Sequence, residues 1–334
     1  MVLIKIPHKY RPRDQARYLR LQRSFGIEEY VYSQFAHQNT SRCITSWDYL
    51  PVYWTHIEGN LRTRSKIRRK WFGTTSRTFK ALNDFVEQTL DVVNNPVFTV
   101  VQHDEGLLLH KHLKIGEKLF TFSAGGCGDI PIPLLCDARP PPLCEQQHLA
   151  SFKGVIDHPV HSYPYRQALL EIAEEDGIEI IDTFTSSNKS ASVDYIELMA
   201  GSSFSLCPRG YGRTSFRLYE SFQQGVIPVY IHDGAPWLPY TEEIDWAEIA
   251  IFVHYEKIHE LPDFLRSIPE NVKRRMRNAA QCLFRRYFTF AGMHAYIERK
   301  MESLDGLDIA TARAQVAILR DYCPRDLFVY SVND

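Results

Sequence analysis

The sequence predicts an α/β protein with two Rossmann-like domains, each built on a parallel sheet. Short apolar runs alternate with helical patterns in both halves of the chain, which favours parallel strands joined by helices. The length of 334 residues is enough for two domains of ordinary size. The hydrophobic fraction of 44% and the aromatic fraction of 13% are typical of packed cores rather than of disorder.

The first half of the chain is expected to hold three strands and one helix. The strands are predicted over residues 28–35 (EEYVYSQF), 49–56 (YLPVYWTH) and 97–102 (VFTVVQ). Apolar residues at helical spacing predict a helix over residues 77–94, which Asn95-Pro96 ends. The third strand is typical of a buried parallel strand and runs directly into His103-Asp104-Glu105-Gly106.

The second half shows the alternation more clearly. Strands are predicted over residues 150–156, 178–182, 203–207, 226–231 and 249–253. Helices are predicted over residues 164–176, 195–200 and 214–224, with three more up to about residue 322. Three consecutive prolines in residues 137–147 (DARPPPLCEQQ) predict a linker, because proline does not fit inside a helix or a central strand. We therefore expect an N-terminal domain over residues 1–148 and a C-terminal domain with a helical tail over residues 149–334.

Composition excludes several classes of function. The net charge of −1 gives no global attraction for nucleic acid or an anionic membrane. The first residues contain too few apolar positions for a signal peptide, and no run of about 18 apolar residues suggests a membrane span. The seven cysteines form no CxxC pair and are expected to be mostly reduced and buried. These features predict a soluble, cytoplasmic protein without a nucleic-acid partner.

The chemistry concentrates in residues 207–234, CPRGYGRTSFRLYESFQQGVIPVYIHDG. A predicted strand leads into a turn with Gly210 and Gly212, and a helix begins near Ser215. Glycines let backbone N–H groups approach an anion closely, and a helix N-terminus offers unpaired N–H donors with partial positive charge. Arg209 and Arg213 add charge and fork geometry, so the segment predicts a diphosphate site.

The helix after this turn separates two kinds of side chain. At about 100° per residue, Arg213, Arg217 and Glu220 fall on one side, and the apolar residues fall mainly on the other. A carboxylate at Glu220 is placed to accept hydrogen bonds from both hydroxyls of a ribose. The alternative is that Arg217 and Glu220 form a surface pair three residues apart, and that the glycines only make a turn.

Several short motifs in this segment carry a family resemblance. FSLCPRG (residues 204–210) is followed by SFRLYE (215–220) and GVIPV (225–229), and then by WLPY (237–240), Glu243 and IDW (244–246). In that order, the segment resembles the exostosin-type glycosyltransferases of glycosyltransferase family 47. Weaker similarity covers residues 152–154 with Arg166, His103-Asp104 with Gly106, and residues 50–54 (LPVYW). The resemblance extends over about residues 28–300.

This resemblance implies a GT-B architecture, in which two Rossmann-like domains face each other across a cleft. The C-terminal domain would bind a nucleotide-sugar donor, usually a UDP-sugar, and the N-terminal domain would bind a glycan acceptor. Carried over by position, Arg209 and Arg217 would contact the diphosphate and Glu220 the ribose. Family members invert the anomeric centre. Eukaryotic members generally carry an N-terminal membrane anchor that this sequence lacks, which suggests a soluble microbial or viral relative.

Two groups of residues are expected to carry the reaction. Arg209, Arg213, Arg217 and the helix N-terminus would stabilise the leaving UDP in place of a metal, since the sequence has no DxD triplet. The expected donors are UDP-xylose, UDP-galactose, UDP-glucuronate or UDP-arabinose, with no metal or other cofactor. The base for the acceptor hydroxyl is expected among Asp104, Glu105 and His103, at the end of a buried strand. These three could instead only shape the loop or cap a helix.

Two other classes of protein stay open from the sequence. A non-catalytic protein that binds nucleotide sugars or glycans could keep the donor site and lack the base. A dehydrogenase or epimerase would need a GxGxxG near the first strand, which is absent.

Overall fold

We describe a computed structural model of the chain, which places residues 2–11, 26–37, 45–55, 57, 74–104, 106–107, 118–135, 139–156, 163–184, 194–320 and 322–329. These residues divide into two compact units. Unit 1 comprises Met1–Asp137 with Phe290–Arg320, and unit 2 comprises Ala138–Thr289 with Asp321–Asp334.

The regular elements alternate along the described chain. The strands are β1 Asp48–Tyr49, β2 Val97–Val101, β3 Leu119–Ser123, β4 Ile130–Pro131, β5 His148–Gly154, β6 Ile178–Asp182, β7 Ser202–Pro208, β8 Ile227–His232 and β9 Ile251–His254. The helices are α1 Ile27–His37, α2 Thr74–Val92, α3 Pro164–Gln167, α4 Tyr195–Ala200, α5 Phe216–Gln223, α6 Leu261–Ser267, α7 Glu270–Tyr287, α8 Phe290–Ser303 and α9 Ile309–Val316. Short 3-10 turns cover Ala168–Ile172, Trp246–Glu248, Tyr255–Glu260 and Ala317–Arg320. Within the described ranges, every helix is too short or too polar to cross a lipid bilayer.

Unit 1 is built on a parallel sheet with the strand order β1-β2-β3-β4. Every residue of β2 and β3 is buried, which confirms β2 as the buried strand that the β-branched run predicts. The helix predicted over residues 77–94 is confirmed as α2. Strands β3 and β4 have no counterpart among the predictions.

Two strands predicted in the first half are corrected by the structure. Residues 28–35 belong to helix α1, because Ile27, Val31 and Phe35 are buried at four-residue spacing and point to one face. Two glutamates in the first turn of α1 also suit the positive end of a helix. Of the described residues 49–55, only Tyr49 pairs as a strand, and Pro51 has no N–H to donate to a ladder.

Unit 2 has the strand order β6-β5-β7-β8-β9, and all neighbouring strands are parallel. The chain builds outward from β5 to β6 on one side and from β7 to β9 on the other. The point between β5 and β7 is therefore a topological switch point, where the loops after the two strands diverge and ligands bind in open α/β sheets. The strands predicted in this half are confirmed within a few residues. The helix predicted over residues 164–176 is shorter, with α3 giving way to a 3-10 turn.

The helical tail requires a correction to the expected domain boundary. The sequence assigns residues 290–320 to the C-terminal domain, whereas these residues belong to unit 1. The indole N–H of Trp47 donates to the Leu304 carbonyl at 2.9 Å, and Arg313 binds Asp129 at 2.8 Å. Both contacts join segments far apart in sequence, so helical periodicity alone could not reveal them. The expectation of buried cysteines also fails for Cys144, Cys282 and Cys323, which are exposed thiols.

Candidate functional site

The centre of the site in unit 2 is the turn between β7 and α5. Ser215 is the N-cap of α5, and its hydroxyl oxygen accepts the N–H of Arg217 at 3.3 Å. The Gly210 N–H donates to the Thr214 carbonyl at 3.0 Å, so that donor is used within the turn. A Cβ on Gly210 would lie 3.4 Å from the same carbonyl oxygen, so the turn itself tolerates a side chain there.

Helix α5 has the two faces that its sequence predicts. Leu218, Tyr219 and Phe222 are buried against the sheet, whereas Arg217 and Glu220 are only half-buried. The solvent-facing side of α5 therefore carries the guanidinium of Arg217 and the carboxylate of Glu220. Its N-terminus lies at the end of β7, beside the topological switch point.

Arg217 is held by main-chain and aromatic contacts. Its Nη2 donates to the Lys153 carbonyl at 2.6 Å, at the end of β5. The guanidinium lies 4.3 Å from the centre of the Phe152 ring and 4.9 Å from that of Tyr195. The missing side chain of Gly154 leaves room for this approach, since a Cβ there would lie 3.3 Å from Nη2. Arg217 is thereby oriented by groups that do not neutralise its charge.

Glu220 is oriented by a tyrosine from another helix. The hydroxyl of Tyr195, the first residue of α4, donates to Glu220 Oε2 at 2.6 Å. Burial raises the pKa of Tyr195, so the phenol stays a donor. Arg217 and Glu220 thus share Tyr195 as a partner, Arg217 over its ring and Glu220 through its hydroxyl.

Arg209 closes the other side of the turn. Its Nη1 forms an ion pair with Asp233 Oδ2, in the turn that follows β8. Its Nε donates to the Gly212 carbonyl at 2.9 Å, so the guanidinium is held against the turn that follows Arg209. Arg209 also lies over the ring of Tyr165, and the Tyr165 hydroxyl donates to the Gly210 carbonyl at 3.1 Å.

Arg166 is a fourth arginine at this site, and the sequence analysis did not assign it a role. Its Nη1 donates to the Val155 carbonyl at 2.7 Å, and its Nε donates to the Arg209 carbonyl at 3.3 Å. Burial and the neighbouring charge of Arg217 lower the pKa of Arg166. Arg166 therefore lies close to a like charge, and its hydrogen-bond partners among the described residues are carbonyl oxygens.

The charges around the turn do not balance within the described residues. Arg166, Arg213 and Arg217 have no carboxylate in contact there, and only Arg209 has one. The hydroxyl oxygen of Thr214 is buried in the turn and also has no hydrogen-bond partner in the described part of the chain. Buried polar groups are normally satisfied, so this arrangement is suited to an anion with several acceptor oxygens.

The residues predicted as a base lie in unit 1, at the end of β2. His103 is buried, Asp104 is half-buried, and Glu105 lies outside the described residues. The His103 carbonyl accepts the N–H of Gly106 at 2.9 Å, where Gly106 has a φ of 55°. A side chain at Gly125 would overlap the backbone of His103 and Asp104, so the loop after β3 packs directly on them.

Two buried glutamates lie beside this strand end, and sequence reasoning missed them. Glu28 accepts the backbone N–H of Gln102 at 3.0 Å and the hydroxyl of Thr55 at 2.7 Å. Glu29 accepts the hydroxyl of Tyr53 through Oε1, while Oε2 is buried and has no hydrogen-bond partner among the described residues. Burial raises the pKa of Glu28 well above its ordinary value and that of Glu29 to about 7. A helix pattern at residues 27–35 was the signal that could have found them.

Comparisons with known proteins identify the family. Residues 86–268, more than half of the chain, match the model of the Exostosin GT47 domain. Exostosin-1 of Drosophila melanogaster is 40% identical over 96 residues, which are 28% of this chain and 12% of that protein. The Exostosin-1 homolog of Caenorhabditis elegans is 37% identical over 95 residues, 28% of this chain and 24% of that protein. The chain therefore matches less than a quarter of the length of these relatives.

One solved structure shows a weaker similarity. The crystal structure of TarM covers 70% of this chain, and this chain covers 47% of TarM, at 7% identity and a TM-score of 0.39. At that score the similarity carries no conclusion about function. Two parallel sheets with covering helices agree with the GT-B fold class predicted from the sequence. On the extent of the family match, the chain belongs to the exostosin family of glycosyltransferases, family 47.

Proposed function

We propose that the chain is an inverting, metal-independent glycosyltransferase that moves a sugar from a UDP-sugar to a hydroxyl of a glycan. The observation that carries the proposal is the group of three arginines around the N-terminus of α5 that lack carboxylate partners in the described residues. A diphosphate supplies the negative charge and the acceptor oxygens that these arginines need.

Glu220 is proposed to bind the ribose of the donor. Its carboxylate is held by Tyr195 at 2.6 Å and is half-exposed on the same helix whose N-terminus would bind the phosphates. A carboxylate accepts at up to four sites, so the bond from Tyr195 leaves capacity for both ribose hydroxyls. The predicted donor residues therefore have separate tasks, with arginines for the diphosphate and Glu220 for the nucleoside.

In the proposed reaction the acceptor hydroxyl attacks the anomeric carbon while the bond from that carbon to UDP breaks. The hydroxyl proton passes to a base, for which Asp104 and Glu105 are the first candidates and His103 the next. The electron pair of the broken bond leaves with UDP, whose added negative charge Arg166, Arg209, Arg213 and Arg217 would stabilise. Because the arginines supply this charge, the proposal needs no metal ion. A single displacement of this kind inverts the anomeric centre.

The test combines binding, turnover and stereochemistry. Calorimetry should show binding of UDP in the presence of EDTA, and turnover with a glycan acceptor should release UDP under the same conditions. Proton NMR of the product should show the anomeric configuration opposite to that of the donor. Loss of activity in EDTA with recovery in Mn²⁺ would refute metal independence, and a retained configuration would refute inversion. Binding of UDP without turnover on any acceptor would instead favour a non-catalytic binding protein.

The donor sugar is proposed to be xylose, galactose, glucuronate or arabinose, and the acceptor is an oligosaccharide or a longer glycan. A thermal-shift panel of these nucleotide sugars ranks the donors, since a ligand at a hundredfold excess over its Kd adds about 2.7 kcal/mol to stability.

A further inference from the structure

We propose that Asp233 selects the donor sugar, by accepting a hydroxyl of a neutral sugar and disfavouring a sugar that carries a carboxylate. The inference rests on the proposed function, since it requires a nucleotide sugar at the β7–α5 turn. Asp233 was not among the residues that the sequence singled out.

The order of groups along the edge of the sheet gives the first argument. Arg217 contacts the end of β5 and the ring of Tyr195, and Tyr195 holds Glu220, so these residues lie on the β5 side. The turn with Arg209 follows β7, and Asp233 follows β8, the next strand outward. A nucleotide sugar has a fixed order of ribose, diphosphate and sugar. With the ribose at Glu220 and the phosphates at the turn, the sugar reaches the end of β8.

The Asp233 carboxylate has an oxygen without a hydrogen-bond partner in the described residues. Oδ2 accepts from Arg209, whereas Oδ1 has no hydrogen-bond partner within the described residues. Oδ1 itself is buried, whereas the side chain as a whole is 29% exposed, so part of Asp233 lies next to solvent. An ionised carboxylate only accepts hydrogen bonds, and its missing partner must therefore be a donor such as a sugar hydroxyl.

The turn that holds Asp233 is fixed in place by its neighbours. His232 Nδ1 accepts the N–H of Gly234 at 3.0 Å, so in the neutral ring the proton lies on Nε2. Nε2 donates to Asp326 Oδ1 at 3.0 Å, in the C-terminal segment, and Lys257 lies 3.4 Å from the other oxygen of Asp326. Burial lowers the pKa of His232, which favours this neutral form. A carboxylate held in one position can discriminate between hydroxyl patterns.

The expected discrimination follows from charge. A neutral sugar such as xylose or galactose presents hydroxyl donors to Asp233. A uronate that presents its carboxylate there would place two negative charges together and leave Oδ1 without a donor, which disfavours it. Arg209 is already paired with Asp233, so its positive charge stabilises the carboxylate of a uronate less.

The experiment compares UDP with UDP-sugars in two variants. In Asp233→Ala the affinity for UDP-xylose or UDP-galactose should fall about tenfold to a hundredfold, the usual value of a hydrogen bond to a charged group, while UDP binding changes less than about threefold. In Asp233→Asn the charge is lost but an acceptor remains, so the preference for a neutral sugar over UDP-glucuronate should shrink. Glu248→Ala, an exposed carboxylate in the same unit, is the matched control. Thermal unfolding establishes that each variant is folded.

The outcomes separate the inference from the proposed function. If UDP and UDP-sugars lose affinity equally in both variants, Asp233 only holds Arg209, and the inference is wrong. A wild-type protein that prefers UDP-glucuronate would also overturn it, and would point to Arg213 as a ligand of the uronate. If the wild type binds neither UDP nor any UDP-sugar, the proposed function fails and the inference fails with it.

Discussion

At the end of β7 in unit 2, four arginines gather around one turn, and among the residues that the structure describes only Arg209 has a carboxylate in contact. At the end of β2 in unit 1, two glutamates are buried side by side on helix α1, and hydroxyl and backbone N–H groups are their partners in the described part of the chain. Both regions lie at the carboxyl ends of parallel strands, where α/β proteins bind ligands. Their electrostatics are opposite, so the two strand ends suit different partners.

The difference indicates how tasks are divided in the proposed reaction. Cations without carboxylate partners are suited to a diphosphate, which gains charge as UDP leaves. Carboxyl groups whose pKa is raised by burial are suited to holding or taking a proton near neutral pH. We therefore expect substitutions in unit 2 to change donor binding and leaving-group stabilisation. Substitutions at the β2 strand end should change the proton-dependent steps or the pH dependence of stability.

The largest expected effect is at the proposed base. Replacement of Asp104 by Asn, or of Glu105 by Gln, should lower kcat about a hundredfold to ten-thousandfold in whichever variant removes the base. The Kd for UDP should not change, because neither residue belongs to the donor unit. Steady-state kinetics and calorimetry on each variant provide the two quantities. Turnover at the wild-type rate in both variants would leave His103 as the remaining candidate.

The next effect is expected at Arg217. Its replacement by Ala removes a charge from the leaving diphosphate and should lower kcat/KM about a hundredfold to a thousandfold. Arg217→Lys keeps the charge but loses the fork and the stacking on Phe152, so it should recover only part of the loss. Arg274→Ala, an exposed arginine on α7, is the matched control and should behave as wild type. Equal activity in Arg217→Ala and the control would contradict the contrast between the two strand ends.

The same contrast explains how far the sequence predicts the molecule. The β7–turn–α5 segment is contiguous, so capping by Ser215 and the two faces of α5 follow from local rules that the structure confirms. Arg166, Tyr195 and Asp233 contact this segment from 24 to 43 residues away in the sequence. No local pattern marks such partners. Motif order could identify a donor site but not the full set of its contacts.

At the β2 strand end, local propensity was misleading. The run EEYVYSQF is rich in residues that favour strands, yet its burial follows the four-residue spacing of Ile27, Val31 and Phe35. Tertiary packing decided the conformation, as it often does for short amphipathic segments. Glu28 and Glu29 form a buried pair because α1 packs beside the loops after β1 and β2. The sequence alone does not show this packing. The helical tail is a similar case, because its partners Trp47 and Asp129 lie far away in sequence.

A smaller effect is expected at Glu220. Its replacement by Gln should weaken UDP binding about tenfold to a hundredfold, because ribose hydroxyls would lose a charged acceptor. Tyr195→Phe removes only the group that orients Glu220, so its loss should be about threefold to tenfold. Calorimetry with UDP and 2′-deoxy-UDP separates the role from general destabilisation. The wild type should discriminate between the two ligands and Glu220→Gln should not; undiminished discrimination in the variant would assign the ribose to another residue.

The smallest expected effect concerns stability rather than turnover, and it tests the electrostatics of unit 1. Burial raises the pKa of Glu29 to about 7 from an ordinary value of 4.5. The folded state therefore holds this proton more tightly than the unfolded state does. This contribution to the free energy of unfolding is fully present below about pH 4.5 and declines as the pH rises towards 7.

Replacement of Glu29 by Gln removes this titration while the side-chain carbonyl can still accept the Tyr53 hydroxyl. The variant should gain stability relative to wild type between pH 5 and pH 8, by at most about 3 kcal/mol. Urea unfolding at several pH values measures the difference in free energy of unfolding between the variant and the wild type. Groups that titrate in the same way in both proteins do not contribute to this difference. Parallel stability curves would show that Glu29 is ionised without penalty, and would remove the electrostatic contrast between the two strand ends.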